Sequence, residues 1–437
     1  MKRVTKIWVT IIISVLVFVS AALAFVHKKR SSVLEVGVFA GSNWDVANAN
    51  SYVIIDKAVK RFEQNHPGVK VHYYSGIRKE DYTEWFSRQL LQGKEPDVFM
   101  VIGEDFNKFA EVGIMKDLGP LINRDESFDK EKFYTTTLLS GQYKGRQYAL
   151  PYETVPTLMF VNKSLINAEG IFVPDNDWTW EDMYEICKKV TKDTDGDGTL
   201  DQFGAYNYSW MEAAFSNGAS LFDENGTESY FTDEKFVESI RFIKDLNDLN
   251  ENQRVTRNDF DGGNVAFMPL PFTEYRTYKT YPYRIKKYTK FQWDCITLPA
   301  GPDGGNISAV NTLLMGISEK THNEQLAWEF LKLLTYDEEI QMDIFRYSQG
   351  ASSLKTVTES EEALDILQED MEKNEKVISN NVLGEVIEKG SVNPKFPKYI
   401  DAVDLAENEI SRIIEEDDNI ENSLRILQRQ VNTYLKR

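Results

Sequence analysis

The chain has 437 residues, a formal net charge of −19 at pH 7, and 21 Tyr, 25 Phe and 8 Trp. That length is enough for two lobes, each with its own core, and the acidity repels phosphate backbones, which argues against a nucleic-acid partner. Most of the aromatic residues serve ordinary packing, but Tyr and Trp in such numbers also suit stacking on the flat apolar faces of a ligand.

Six basic residues and no acidic ones stand among the first thirty, so the body carries about −25. Ile7–Val26 is free of charge. As a helix rising ~1.5 Å per residue it spans ~30 Å, enough to cross a bilayer. Basic residues precede it, as in an export signal, and Ala22 to Ala24 has the form of a signal-peptidase site. The run is longer than an ordinary signal core, which favours an uncleaved membrane anchor over a cleaved signal. The body is exported on either reading.

Val33–Phe39 reads as a strand that enters a loop ending at Trp44. Ile55, Val59 and Phe62 then repeat at helical spacing up to a stop at Asn65 to Gly68. Val69–Tyr74 is the second strand, 80–92 a helix, 96–101 the third strand and 106–112 a further helix. This strand–helix–strand opening predicts a parallel sheet. Pro151 has no N–H to donate, so the run from Gly145 ends in a sharp crossing, and a second strand, 157–161, begins the second lobe. Helices follow near Trp180 and over Phe236, Ile240, Ile243 and Leu246. Val265 to Pro271 reads as a second crossing. Strands at 293–299 and 313–317 return to the first lobe, a helix carries Leu326, Phe330 and Leu334, and an acidic, mainly helical tail covers the second lobe.

Asp193, Asp195 and Asp197 occupy positions 1, 3 and 5 of an EF-hand-like loop, with Gly198 at the sharp reversal. The Thr199 carbonyl and Asp201 complete a possible set for a structural calcium ion, although position 12 is Gly204 where a bidentate Glu is expected. An acidic surface turn is the competing reading. The two cysteines, Cys187 and Cys295, read as small buried residues. The four histidines have no metal-ligand spacing, and no nucleophile elbow, phosphate loop or dinucleotide fingerprint is present. Two carboxylates suffice for glycoside hydrolysis, so a hydrolase is the rival function.

The ordered series Gly145 to Pro151, Phe160 to Leu165, Ala168 to Gly170, Pro174 and Trp178 to Glu181 resembles the extracellular solute-binding proteins of ABC importers, the carbohydrate-binding kind related to maltose-binding protein. Further matching pieces are Pro96 with Asp97, Asn217 to Phe222, Gly263 to Met268, Leu298 to Gly305, Ala327 to Leu331 and Asn393 to Pro397. The resemblance implies an α/β, two-lobe, type II periplasmic-binding-protein-like fold with hinge crossings and a central ligand cleft. It divides the chain into a signal or anchor segment (1–30), lobe one (34–150 plus 273–333) and lobe two (151–272 plus 334–437). It also implies a monomeric, non-enzymatic binder that delivers a carbohydrate ligand to an ABC permease. A sensor serving a membrane receptor shares this fold and stays open as an alternative. No Cys follows the N-terminal segment, so a lipid anchor is excluded. Aromatic faces for stacking, with carboxylates and amides for hydroxyls, belong at strand ends that face the cleft. That rule and the resemblance select Trp44, Glu104, Tyr152, Glu153, Trp210, Phe272, Tyr275 and Asn311, the last in the loop before the Leu313 strand.

Overall fold

The computed structural model describes residues 32–44, 48, 50, 52–223, 225–280, 291–369, 380–394, 396–416 and 419–437. The expected signal or anchor segment lies outside them. Among the described residues no helix is long and apolar enough to cross a membrane.

Ten strands are present among the described residues: β1 (Ser32–Gly37), β2 (Val69–Tyr74), β3 (Val98–Val101), β4 (Gln142–Tyr143), β5 (Arg146–Gln147), β6 (Ala149–Asn162), β7 (Phe203–Ala205), β8 (Val265–Pro271), β9 (Trp293–Ile296) and β10 (Val310–Ile317). β4 and β5 form a separate hairpin, and the others make one mixed sheet in the order β2-β1-β3-β10-β6-β8-β7, with β9 also on β6. β2 and β3 flank β1 in parallel, because helices Val53–Asn65 and Lys79–Gln92 return the chain to the same sheet edge each time. The expected parallel opening is therefore present.

β6 is the spine of the molecule. Its first half pairs with β10 up to Pro156, and from Thr157 it pairs with β8 and β9. This corrects the expected break at Pro151: the strand runs through, and the change of sheet partners comes at Pro156–Thr157. Leu313 stands opposite Glu153 and Leu314 opposite Pro151, which leaves Tyr152 as the extra residue of a β-bulge. A bulge is where a strand tolerates a residue that cannot donate to the ladder. The Tyr152 carbonyl, displaced from the ladder, accepts from Gln341 Nε2 at 3.1 Å. β9 also differs from expectation, since it pairs with the outer half of β6 and only β10 rejoins β3.

Two large apolar cores lie on this frame. One gathers Val36, Ile55 and Phe62 with Met315, Phe330, Leu331, Ile344 and Ile387. The other gathers Met183, Phe236, Ile240 and Phe267 with Ile410, Leu424 and Leu427. Helix Glu338–Tyr347 thus joins the first core, whereas the sequence places everything after 334 with the second lobe. Its Ile340, Ile344 and Phe345 are buried. Polar bonds fix it on helix Val53–Asn65, with Lys57 2.7 Å from Asp343 and Arg61 2.9 Å from Asp337. Of the described helices after Tyr347, the last two, Tyr399–Glu415 and Ile420–Leu435, pack on helix Glu234–Asp248 of the second core.

Candidate functional site

Glu153 follows the bulge directly and is 3% exposed. Its Oε1 accepts from Ser348 Oγ and from the Gly350 amide, each at 2.6 Å. Burial pushes its carboxyl up from the usual range, while the bonds from Ser348 and Gly350, the indole of Trp44 and the charge of Arg276 pull it back. A Cβ on residue 350 would lie 2.5 Å from both Cγ and Oε1 of Glu153, so the loop approaches this closely only because it carries glycine.

Arg276 lies on helix Phe272–Thr280, immediately after β8. It is 5% exposed. Its Nη2 donates to the Phe345 carbonyl at 2.6 Å and its Nη1 reaches the Gly350 carbonyl at 3.5 Å. One guanidinium therefore ties the helix after β8 to the loop after helix Glu338–Tyr347. A cavity of about 560 Å³ opens beside it, lined by Asn50, Arg276, Tyr347, Ser348, Gln349, Glu362 and Asp365 among others. That size falls within the range of small-molecule sites.

Among the described residues, Gln349 Oε1 in the cavity lining, and Asn43 Oδ1 and Thr273 Oγ1 outside it, are buried polar atoms without a hydrogen-bond partner. A buried donor or acceptor left unmatched costs about 1–3 kcal/mol, and native interiors hold few of them. A polyhydroxylated ligand supplies both donors and acceptors to such groups.

The structure brings Trp44 and Glu153 together, while Tyr152, next to Glu153 in sequence, has its ring buried in the first core. Burial pushes the Tyr152 phenol far up. The remaining selected residues stand elsewhere. Trp210 opens helix Trp210–Ser216, packs edge-on against Phe236 in the second core, and donates to Glu407 at 2.6 Å. Phe272 and Tyr275 are buried and stack on each other, and Tyr275 also meets Trp293 edge-on at 5.6 Å. Asn311 lies within β10 opposite Val155, exposed, and not in the loop expected to precede that strand. Glu104 falls in the first turn of helix Gly103–Glu111; its side chain lies outside the described residues.

In the acidic turn, carboxylate oxygens of Asp193, Asp195 and Asp197 lie within 4.8 Å of one another. Asp193 accepts from the amides of Gly196 and Gly198, both at 2.7 Å, and Asp197 from the amide of Thr199 at 2.8 Å. Asp201 accepts from the amide and hydroxyl of Thr194. The turn holds itself together through its own backbone, and Gly204, at position 12, sits in β7.

Arg276, Tyr347, Thr273 and Gln349 escaped the sequence reading. The usable signal for the loop was the Ser348 to Gly350 turn after an amphipathic helix. Arg276 had only the faint signal of a cation beside Phe272 and Tyr275.

Comparison with known proteins follows the same lines. The family model described as bacterial extracellular solute-binding protein matches residues 47–340. The chain is 24% identical over 256 residues to the arabinooligosaccharide-binding protein of Bacillus subtilis, and spans 56% of that relative's length and 56% of its own. It is 21% identical over 380 residues to the maltotriose-binding protein of Pyrococcus abyssi, covering 81% of this chain and 73% of that one. Its fold is similar to the sugar-binding protein MalE of Xanthomonas citri, with a TM-score of 0.76 at 14% identity over 93% of this chain and 98% of the other. The architecture is that of a type II periplasmic binding protein.

Proposed function

The chain belongs to the bacterial extracellular solute-binding protein family, and from that premise we propose that it is the oligosaccharide-binding subunit of an ABC importer. The observation that carries this reading is the cavity lined by Arg276, Ser348 and Gln349, whose Ser348 hydroxyl bonds Glu153 of the spine strand and whose Gln349 Oε1 is a buried, unmatched acceptor. The indole of Trp44, which faces Glu153, supplies a stacking face, and Gln349 supplies a hydroxyl partner. The relatives from Bacillus subtilis and Pyrococcus abyssi, whose names record oligosaccharide ligands, support the ligand class.

Two lobes hinge where β6 changes partners, at Pro156–Thr157. Ligand shifts an open–closed equilibrium because it contacts both lobes only in the closed state, and the closed form docks on the permease. The protein works as a monomer outside the cytoplasm, held at the membrane by its N-terminal segment, and performs no chemistry on the ligand. A cation at the acidic turn would be structural; its weakness follows from the missing ligand at position 12.

Thermal denaturation of residues 32–437 against neutral oligosaccharides tests the reading, with the sugars analysed afterwards. A ligand that binds only the native state raises the midpoint with concentration. A saturable rise with intact sugar is expected. Cleaved sugar would establish a hydrolase, and no response to any sugar would remove the carbohydrate assignment.

A further inference from the structure

We infer that Glu153 is a positioning residue and not a sugar contact: through Ser348 and Gly350 it holds the loop that presents the Gln349 amide to the cavity. The inference rests on the ligand-binding reading above. Glu153 is buried and is not among the residues that line the cavity, whereas Ser348 and Gln349 are. Its Oε1 accepts on both sides of Gln349, from the Ser348 hydroxyl and from the Gly350 amide, each at 2.6 Å. One residue further on, Thr154 of the spine strand and Ala351 exchange both backbone bonds, at 2.9 and 2.8 Å. Arg276 adds a tie from the other side, with Nη2 2.6 Å from the Phe345 carbonyl in the last turn of helix Glu338–Tyr347.

The loop is therefore fastened to β6 at Ser348, Gly350 and Ala351. Gln349, between these points, has its Oε1 buried with no partner among the described residues. An acceptor left without a donor is uncommon in a native interior. A sugar hydroxyl is a donor that fits it, and the amide accepts the bond with no change of charge. Because folding has already fixed the loop, the amide has little freedom left to lose when the sugar binds. What the loop needs from residue 153 is reach. A carboxylate one methylene shorter draws its oxygen back from Ser348 and Gly350, whereas a glutamine keeps a carbonyl oxygen at the same distance along the chain.

The test is calorimetry with the neutral oligosaccharide that gives the largest midpoint rise in the thermal screen. Midpoints recorded without sugar set an assay temperature at which every variant is native. Gln349→Ala should weaken binding by about five-fold or more. Glu153→Asp keeps the charge that faces Arg276 but gives up the reach, and should weaken binding by a similar factor. Glu153→Gln gives up the charge but keeps the reach, and should stay within about two-fold of the wild type. Glu153→Asp combined with Gln349→Ala should be no more than about two-fold weaker than either single variant, since both act on one amide. Losses that multiply in the double variant overturn the inference, because Glu153 would then contribute to binding by itself. Glu153→Gln as weak as Glu153→Asp also overturns it, as does wild-type affinity in Glu153→Asp or Gln349→Ala. Each of these outcomes leaves the oligosaccharide reading standing, whereas a wild-type chain that binds no sugar overturns both.

Discussion

Glu153 Oε1 lies 2.6 Å from the amide of Gly350, and this bond joins the spine strand to the loop that follows helix Glu338–Tyr347. The contact is so close that residue 350 has no room for a methyl group. Gly350→Ala should therefore cost about 1–3 kcal/mol by overpacking. Denaturant unfolding measures it. The same substitution in a Glu153→Ala background should cost much less, because the clashing atoms are gone. Equal costs in both backgrounds would show that the strain lies elsewhere.

Trp44 and Trp210 separate ligand contact from packing. Trp44 is half-buried, with its indole directed at Glu153. Trp44→Ala should weaken sugar binding by about ten-fold or more with a small stability change. Trp210 is 3% exposed and bonded to Glu407. Trp210→Ala should cost about 3–5 kcal/mol of stability through a core cavity. Calorimetric binding and unfolding curves on both variants check the pair, and the reverse pattern would move the site to the second core.

Acid sensitivity should centre on Asp125. Burial opposes its charge, but bonds from Lys332, Ser127 and Trp328 outweigh that and hold its carboxyl well below the ordinary range. A depressed carboxylate adds stability that is complete above its unfolded pKa, about 3.9, and is lost as the pH falls below it. The unfolding midpoint should drop between roughly pH 4 and pH 2, and Asp125→Asn should flatten part of that drop while lowering the midpoint at pH 7. A variant with the wild-type acid profile would show that other carboxylates carry the effect.

Local signals in the sequence placed the regular elements well. Hydrophobic spacing alone puts a strand at Val69–Tyr74, which is β2, and a helix through Phe236 and Leu246, which is Glu234–Asp248. What it could not place were long-range partners. Pro151 forbids a ladder bond, and a proline can be accommodated either by ending the strand or by a bulge; the choice depends on β10, some 160 residues away. Helix Glu338–Tyr347 is amphipathic on either lobe, and the Lys57–Asp343 and Arg61–Asp337 pairs that fix it are visible only in three dimensions. In the site, aromatic residue type says nothing about which way a ring faces. Phe272, Tyr275 and Trp210 turned inward, while Arg276 and Gln349, without a recognisable motif, line the cavity.

The central claim is that sugar draws two lobes together about β6. Small-angle scattering of residues 32–437, with and without a saturating oligosaccharide whose binding has been established by calorimetry, tests it most directly. The account predicts a smaller radius of gyration in the presence of sugar, and loss of both binding and compaction in Trp44→Ala at the same sugar concentration. An unchanged radius with a tightly bound sugar would contradict it.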